Sequence, residues 1–463
     1  MDATTEISGE FAAEMRHQLG SQADELLAAL GRQATVAVRL NGLKPVPGRA
    51  AVSGDRVPWC PRGFYLPRRE QFTFDPLFHA GAYYVQDASS MILWHIVSSL
   101  TDGPVRYLDL CAAPGGKSTA AIDALRPGSL VLCNEVVPAR ARILVENIAK
   151  WGSPGCVVTT CGAEAFGSLG GCFDVIAADV PCSGEGMMRK DEEAVAQWSP
   201  ALVRQCAARQ REIVAGAWPA LRQGGLFIYS TCTFNRHENE EIVDFIIREL
   251  GAESVELDLP PEWGVCGGLD TSACCCRFMP HRTRGEGLFV AVLRKTSPSV
   301  RPSASRGKCG RSVPIPDEAK EWLTGDYCYV SDGDSRRGLA ITAIPAGQAD
   351  DVMELRSRLK VLSAGVELAR LKGRDLVPSH ALALSAALNC GAFPLVEVDY
   401  PTAVAYLRGE TVAVDAPRGH VAVTFRGLPL GFVKKLGGRA NNLYPRPWRV
   451  RGSHVPDLPP EVI

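Results

Sequence analysis

Between Val105 and Arg294, short apolar runs that read as strands alternate with runs at helical spacing, and few folds satisfy that alternation. The strand candidates are 105–110 (VRYLDL), 129–134 (SLVLCN), 173–180 (FDVIAADV) and 226–231 (LFIYST). Helical patterns lie between them at Lys117 to Leu125, Ala139 to Lys150 and Leu202 to Leu221. Apolar strands separated by helices belong to a parallel sheet covered on both faces, so the spacing predicts an α/β core. Upstream stand an amphipathic helical pattern from Phe11 to Leu30, a strand-like stretch from Thr35 to Leu40 and a connection rich in Pro and Gly. Downstream, the Pro-, Ser- and Arg-rich segment 296–311 predicts a linker. A mixed segment then runs to about Asn389, and a β-rich end carries the alternating strings VAVDAP and HVAVTF.

At 463 residues the chain exceeds one ordinary core, and two to four domains are expected. No apolar run is long enough to cross a bilayer, and the amino terminus lacks the basic and apolar stretches of a secretory signal, so a cytoplasmic protein is expected. The sixteen cysteines then read as reduced thiols, and none stand in C-x-x-C spacing, so no metal site is expected. The run Cys274, Cys275, Cys276 reads as loop or strand. A formal net charge of -1 does not advertise a nucleic-acid binder, but its distribution does. From Ala416 to Pro456 there are eight Lys or Arg and no Asp or Glu, a one-sign stretch that favours contact with a polyanion over a plain solvated face.

In LDLCAAPGGKST a strand ending at Leu110 enters a turn of small residues and then a helix beginning near Lys117. Gly115 and Gly116 are expected to let the backbone approach a ligand, with unpaired N–H groups at the helix start. Glu135, twenty residues beyond Gly115 and at the end of the next strand, is placed to accept hydrogen bonds from ribose hydroxyls. A phosphate-binding loop is excluded, because the glycine it needs five positions before Gly116 is Cys111. A tight turn in an ordinary α/β sheet remains the rival on these residues alone.

Asp179, Pro181 and Cys182 follow one strand and Cys232 follows another, so both thiols can face the crevice beyond the strand ends. A lone cysteine is usually a small buried hydrophobe. Two at strand ends, in Gly/Ser/Thr contexts and one following an acid, suggest chemistry. Carbon-5 of cytosine is too poor a nucleophile to attack a methyl sulfonium until a thiolate adds at carbon-6. An acid such as Asp179 near N3 would stabilise that adduct, and a base must afterwards remove the carbon-5 proton.

At these residues the chain resembles the NOL/NOP/Sun family of RNA cytosine-C5 methyltransferases, and within it the bacterial RsmF type. The resemblance rests on YYVQDASSM (83–91), LDLCAAPGGKST, NEV with Arg142 and Asn147, FDVIAADVPCSGEGMMRKD, STCTFNRHENEE and MPHRTRGEGLFVAVL (279–293). ELARLKGRDLVPSHALALS and GLPLGFVKKLGGRANNLYP extend it over nearly the whole chain. The resemblance implies a Rossmann-like methyltransferase core at 99–297 behind an RNA-contacting amino-terminal segment at 1–98. It further implies a middle α+β domain at 298–392 and a PUA-like RNA-binding domain at 393–463. S-adenosylmethionine would be held by Cys111, Ala112, Ala113, Pro114, Gly115, Gly116, Lys117, Glu135 and Asp179. Cys232 would be the nucleophile, Cys182 the thiol that assists product release, and Lys117 and Asp179 would reach the target base. The partner implied is RNA, in particular 16S ribosomal RNA or the small subunit, with no membrane and a monomer expected. Ala163 stands where the family usually offers an acid to adenine, which leaves backbone groups or Glu164 for that contact. A non-catalytic RNA-binding factor and a transfer-RNA methyltransferase are the rival readings.

Overall fold

A computed structural model describes residues 7–48, 52, 54–300, 315–332, 339–373, 375–452 and 454–463. The expected linker 296–311 falls outside the described residues from 301 onward. The amino-terminal segment comprises α1 (Gly9–Leu19), α2 (Ala23–Leu30), β1 (Val36–Leu40), β2 (Gly63–Leu66), α3 (Pro76–His79), β3 (Tyr83–Val85) and α4 (Ile92–Leu100). The helix expected over Phe11 to Leu30 is thus two helices. Gly20, at φ 58°, ends the first, since only glycine turns left-handed there without steric cost.

The central region runs β4 (Arg106–Asp109), α5 (Gly116–Ala124), β5 (Leu130–Asn134), α6 (Pro138–Trp151), β6 (Cys156–Thr159), β7 (Phe173–Asp179), α7 (Glu192–Gln197), α8 (Pro200–Ala217) and β8 (Leu221–Thr231). Then come β9 (Ala252–Val255), β10 (Cys275–Phe278) and β11 (Leu288–Lys295). The expected α/β core is borne out, with β8, β7, β4, β5 and β6 adjacent and parallel in that order. Antiparallel β11 and β10 extend the β8 edge. The helix expected over Leu202 to Leu221 instead starts at Pro200, behind the Ser199 cap that accepts the Leu202 N–H. It ends at Ala217, and Leu221 already pairs with Phe173 in the sheet.

The segment after residue 315 forms an antiparallel sheet of β12 (Tyr327–Asp332), β13 (Leu339–Pro345), β15 (Val366–Lys372) and β16 (Asp375–Pro378). Its β14 (Val361–Ala364) leaves that sheet and pairs antiparallel with β6, capping the far edge of the central sheet. Gly365, at φ 68°, makes the switch between sheets, and a Cβ there would lie 2.3 Å from the Ala343 carbonyl oxygen. The last sheet holds β17 (Leu395–Glu397), β18 (Gly419–Phe425), β19 (Leu428–Lys435) and β20 (Ala440–Asn442). HVAVTF lies in β18 as expected, but VAVDAP does not pair as a strand; Val412 and Val414 are buried in unpaired chain.

This carboxyl-terminal sheet does not own a separate core. Val421, Val433 and Tyr406 pack in one cluster with Phe72, Phe74, Leu77 and Tyr83 of the amino-terminal segment. Removing residues 393–463 would therefore strip an apolar face from the amino-terminal segment as well as removing basic residues. Of those basic residues, Arg418, Arg439, Arg446 and Arg451 are exposed, while Lys435 donates to the Val414 carbonyl and Lys434 pairs with Asp375.

Two histidines sit near this junction, His79 buried and His380 partly exposed with both ring nitrogens enclosed. His79 is pulled down to about 4 and His380 to about 3 from the ordinary 6.5, chiefly by burial and then by the Lys150 ammonium. Below pH 6.5 the unfolded chain takes up protons at these rings that the folded protein refuses. Stability is therefore unaffected above that pH and is lost as pH falls toward 4. The loss per ring amounts to about 2 kcal/mol by pH 5. Urea unfolding at pH 7.5 and pH 5.0 should show a smaller decrement for His79→Phe than for the native protein; equal decrements would contradict this.

Candidate active site

The strand order reverses beside β4, where β5 and β6 lie on one side and β7 and β8 on the other, so the loops after these strands open a crevice. Cys182 leaves the end of β7 and Cys232 the end of β8, and their sulfurs lie 3.3 Å apart. The Gly186 N–H donates to the Cys232 carbonyl at 2.7 Å, tying one loop to the other. The hydrogen bond to the Cys232 sulfur, then burial, push the Cys182 thiol well above its ordinary range. Cys182 is thus held as the protonated partner of the pair.

Lys117, in the first turn of α5, donates from Nζ to Asp179 Oδ2 at 2.8 Å, and Ser230 Oγ donates to Asp179 Oδ1 at 2.9 Å. Burial would lower the Lys117 ammonium, but Asp179 and then Cys232 outweigh it, and the net shift is upward. Lys117 is therefore a fixed cation between the carboxylate and the nearby thiol. Beneath them Asp109 accepts from Ser118 Oγ at 2.7 Å, and burial raises its carboxyl to about 7.

Cys111, Ala112, Ala113 and Pro114 form the turn between β4 and α5, with a cis bond before Pro114. Gly115 caps α5 at φ 115° without any side-chain capping bond, so the first-turn N–H groups have no side-chain acceptor there. The two glycines have a packing role as well. A Cβ on Gly115 would meet Leu144 at 3.3 Å and one on Gly116 would meet Tyr84 at 3.2 Å. The glycines let the turn pack against α6 and β3.

Glu135 is buried at the end of β5, where Oε1 accepts the Val137 N–H at 2.9 Å and Oε2 meets Arg140 at 3.1 Å. Each carboxylate oxygen has a second lone pair, so the uncapped helix start and this carboxylate together fit the amino-acid and ribose ends of S-adenosylmethionine. If Glu135 accepts from the ribose, Glu135→Ala should lose roughly 1.5–3 kcal/mol of cofactor binding. Calorimetry showing native affinity would remove it from the site. Glu164 is exposed in the first turn of a short 3-10 helix, Ala163–Leu169.

Sequence reasoning missed the scaffold behind the thiols. Glu185 and Glu238 are buried, and Asn235 Nδ2 donates to both at 2.9 Å. Glu185 also accepts from the Asn235 N–H and Trp198 Nε1, while Glu238 accepts from the Ser183 N–H and Gln210 Nε2. These carboxylates lock the 182–186 loop against the 232–239 loop. Burial, then Glu238, raise Glu185 to about 6. Arg39 was also missed. Wholly buried, it binds Gln86, Asp123 and Thr119 and lies 4.5 Å over Trp151, fixing α5 to β1. The GEG and NRHENEE strings contain the loop carboxylates, but only their three-dimensional pairing reveals the role.

Among the described residues no group of His, Cys, Asp or Glu could hold a metal, and no helix is long and apolar enough to cross a membrane. A switch-point crevice with a glycine turn after β4 and an acid after β5 is the arrangement of a nucleotide-cofactor-binding α/β enzyme. Residues 100–294 match the family described as 16S rRNA methyltransferase RsmB/F. Residues 7–88 match the N-terminal domain of 16S rRNA methyltransferase RsmF, and 393–450 match the methyltransferase RsmF PUA domain. Ribosomal RNA small subunit methyltransferase F of Enterobacter sp. (strain 638) is 32% identical, over 94% of this chain and 95% of its own. The protein of that name from Escherichia fergusonii shows the same identity and coverage. The chain belongs to the 16S rRNA methyltransferase RsmB/F family, in its RsmF type, and is an S-adenosylmethionine-dependent RNA methyltransferase. Two solved structures share the fold. A methyltransferase homolog protein from Pyrococcus horikoshii has a TM-score of 0.54 at 24% identity, covering 63% of this chain and 96% of its own. NSun6 from the same organism, solved with SFG, has a TM-score of 0.54 at 20% identity, covering 63% and 98%.

Proposed function

We propose that the chain methylates carbon-5 of a cytosine in small-subunit ribosomal RNA through a covalent adduct at Cys232. The 3.3 Å approach of the Cys182 and Cys232 sulfurs, beside the Lys117–Asp179 pair, carries this reading. Cys232, as thiolate, adds to carbon-6, and the ring's electrons move onto N3, where Asp179 with Lys117 holds the proton that neutralises them. S-adenosylmethionine supplies the electrophilic methyl group. Carbon-5 then bears both the methyl and the original proton, and that proton must leave before the Cys232–carbon-6 bond can break.

Cys182 is suited to take it. The largest cause that keeps its proton on is the hydrogen bond to the Cys232 sulfur, and converting Cys232 to a thioether removes that cause. Cys182 then releases its own proton to the crevice and becomes a base at the step that needs one. In this reading residues 1–98 contact RNA, 99–297 catalyse, 298–392 form the middle domain and 393–463 bind RNA, in a cytoplasmic monomer. The relatives' names support ribosomal RNA as the substrate, and the exposed arginines of the last domain suit a polyanion. Incubating the protein with labelled S-adenosylmethionine and small-subunit ribosomal RNA, then digesting to nucleosides, should place the label in 5-methylcytidine. Label in another nucleoside would contradict the proposal.

A further inference from the structure

The sulfurs of Cys182 and Cys232 lie 3.3 Å apart, and both residues are partly exposed in the crevice. A disulfide bond is about 2.0 Å long, so about 1.3 Å separates the pair from bonding, shared between two side chains. The loops that carry them are already fastened to each other. The Gly186 N–H donates to the Cys232 carbonyl at 2.7 Å, and the Ser183 N–H, next to Cys182, donates to Glu238 at 3.0 Å. Asn235 Nδ2 donates to Glu185 and to Glu238, at 2.9 Å each. Every member of this clamp belongs to the chain itself, so the thiols stay paired between turnovers.

Two thiols held in this way have a reaction of their own with a peroxide. The attacking form is a thiolate, and Cys182 is kept protonated by its hydrogen bond to the Cys232 sulfur and then by burial, so the attack falls to Cys232. Its sulfur takes one peroxide oxygen and becomes a sulfenic acid, while the other oxygen leaves as hydroxide and is protonated to water. The Cys182 sulfur then attacks the Cys232 sulfur. The S–S bond forms, the S–O bond breaks, and the hydroxyl departs with the Cys182 proton as a second water. Two thiols lose two electrons and one peroxide becomes two waters. A dithiol reverses the bond by exchange. A sulfenic acid without a neighbouring thiol goes on to sulfinic acid, which dithiols do not reduce.

We propose that Cys182 and Cys232 form an oxidative modification site, in which hydrogen peroxide drives a reversible disulfide that withdraws the nucleophile and spares it from irreversible oxidation. Formation of the bond is independent of the functional reading above; the loss of activity that accompanies it rests on that reading. In the test, reduced full-length protein is treated with hydrogen peroxide, alkylated with iodoacetamide and digested without reductant for mass spectrometry. The peptides containing Cys182 and Cys232 should be recovered joined, and dithiothreitol should return both. Methyl transfer to small-subunit ribosomal RNA should fall by the joined fraction and recover with dithiothreitol. In Cys182→Ser, Cys232 should be recovered as a sulfinic acid that dithiothreitol does not restore. Both thiols alkylated while the exposed Cys390 is oxidised, or either thiol joined to a different cysteine, would overturn the proposal. So would recovery of the Cys232 thiol in Cys182→Ser to the native extent. A joined pair in protein that still methylates RNA at the native rate would instead bring down the catalytic reading of the thiols.

Discussion

Cys182→Ala protein, given ribosomal RNA and S-adenosylmethionine, should accumulate a protein–RNA species that survives denaturing electrophoresis, whereas Cys232→Ala and the double variant should form none. Both single variants should lose turnover to background, so rate alone will not separate the two thiols. The adduct does. With Cys182 absent, Cys232 still attacks carbon-6, and the carbon-5 proton then has no base, so the carbon–sulfur bond persists. With Cys232 absent no bond forms. If either cysteine were only a packed hydrophobe, its alanine variant would lose stability and keep activity per folded molecule. A stable adduct in Cys232→Ala and none in Cys182→Ala would exchange the roles.

Asp179→Asn should lower kcat by about 10²–10⁴ at saturating S-adenosylmethionine. The side chain keeps its size but loses the charge that accepts from Lys117 and Ser230. Lys117 then keeps its burial and loses the neighbour that most offsets it, so its ammonium drops in the direction burial dictates. The variant's activity should therefore fall further as pH rises through the alkaline range, where the native enzyme retains its cation. A native kcat with a native pH profile would show that the Lys117–Asp179 pair takes no part in the reaction.

The central sheet was legible because four of its five parallel strands, all but β6, were read as short apolar runs bounded by turns, and the cofactor turn because a strand, small residues, a helix and a distant acid recur in order. β14 was not legible. VLSA has no stronger pattern than its neighbours, and its pairing with β6 depends on a glycine switch that sequence periodicity does not register. The break in the first helix was missed because apolar residues on both sides of Gly20 share one period. VAVDAP alternates like a strand, yet its alternate valines are buried in unpaired chain, so period alone does not decide pairing. At the site, the strings name both cysteines, Lys117 and Asp179. They do not reveal that Glu185, Asn235 and Glu238 clamp the two loops, because the contacts between the loops, Asn235 to Glu185 and Ser183 to Glu238, join residues 50 and 55 positions apart.

The attack of Cys232 on carbon-6 is tested most directly by replacing the target cytosine with 5-fluorocytosine, whose carbon-5 has no proton to lose after methyl transfer. Native protein incubated with this RNA and S-adenosylmethionine is digested, and the modified peptide is identified by mass spectrometry. The peptide containing Cys232 should carry the methylated fluorocytosine nucleotide, with Cys182 unmodified. A nucleotide on Cys182, or methyl transfer to the native RNA with no trapped peptide from the fluorinated one, would contradict the mechanism.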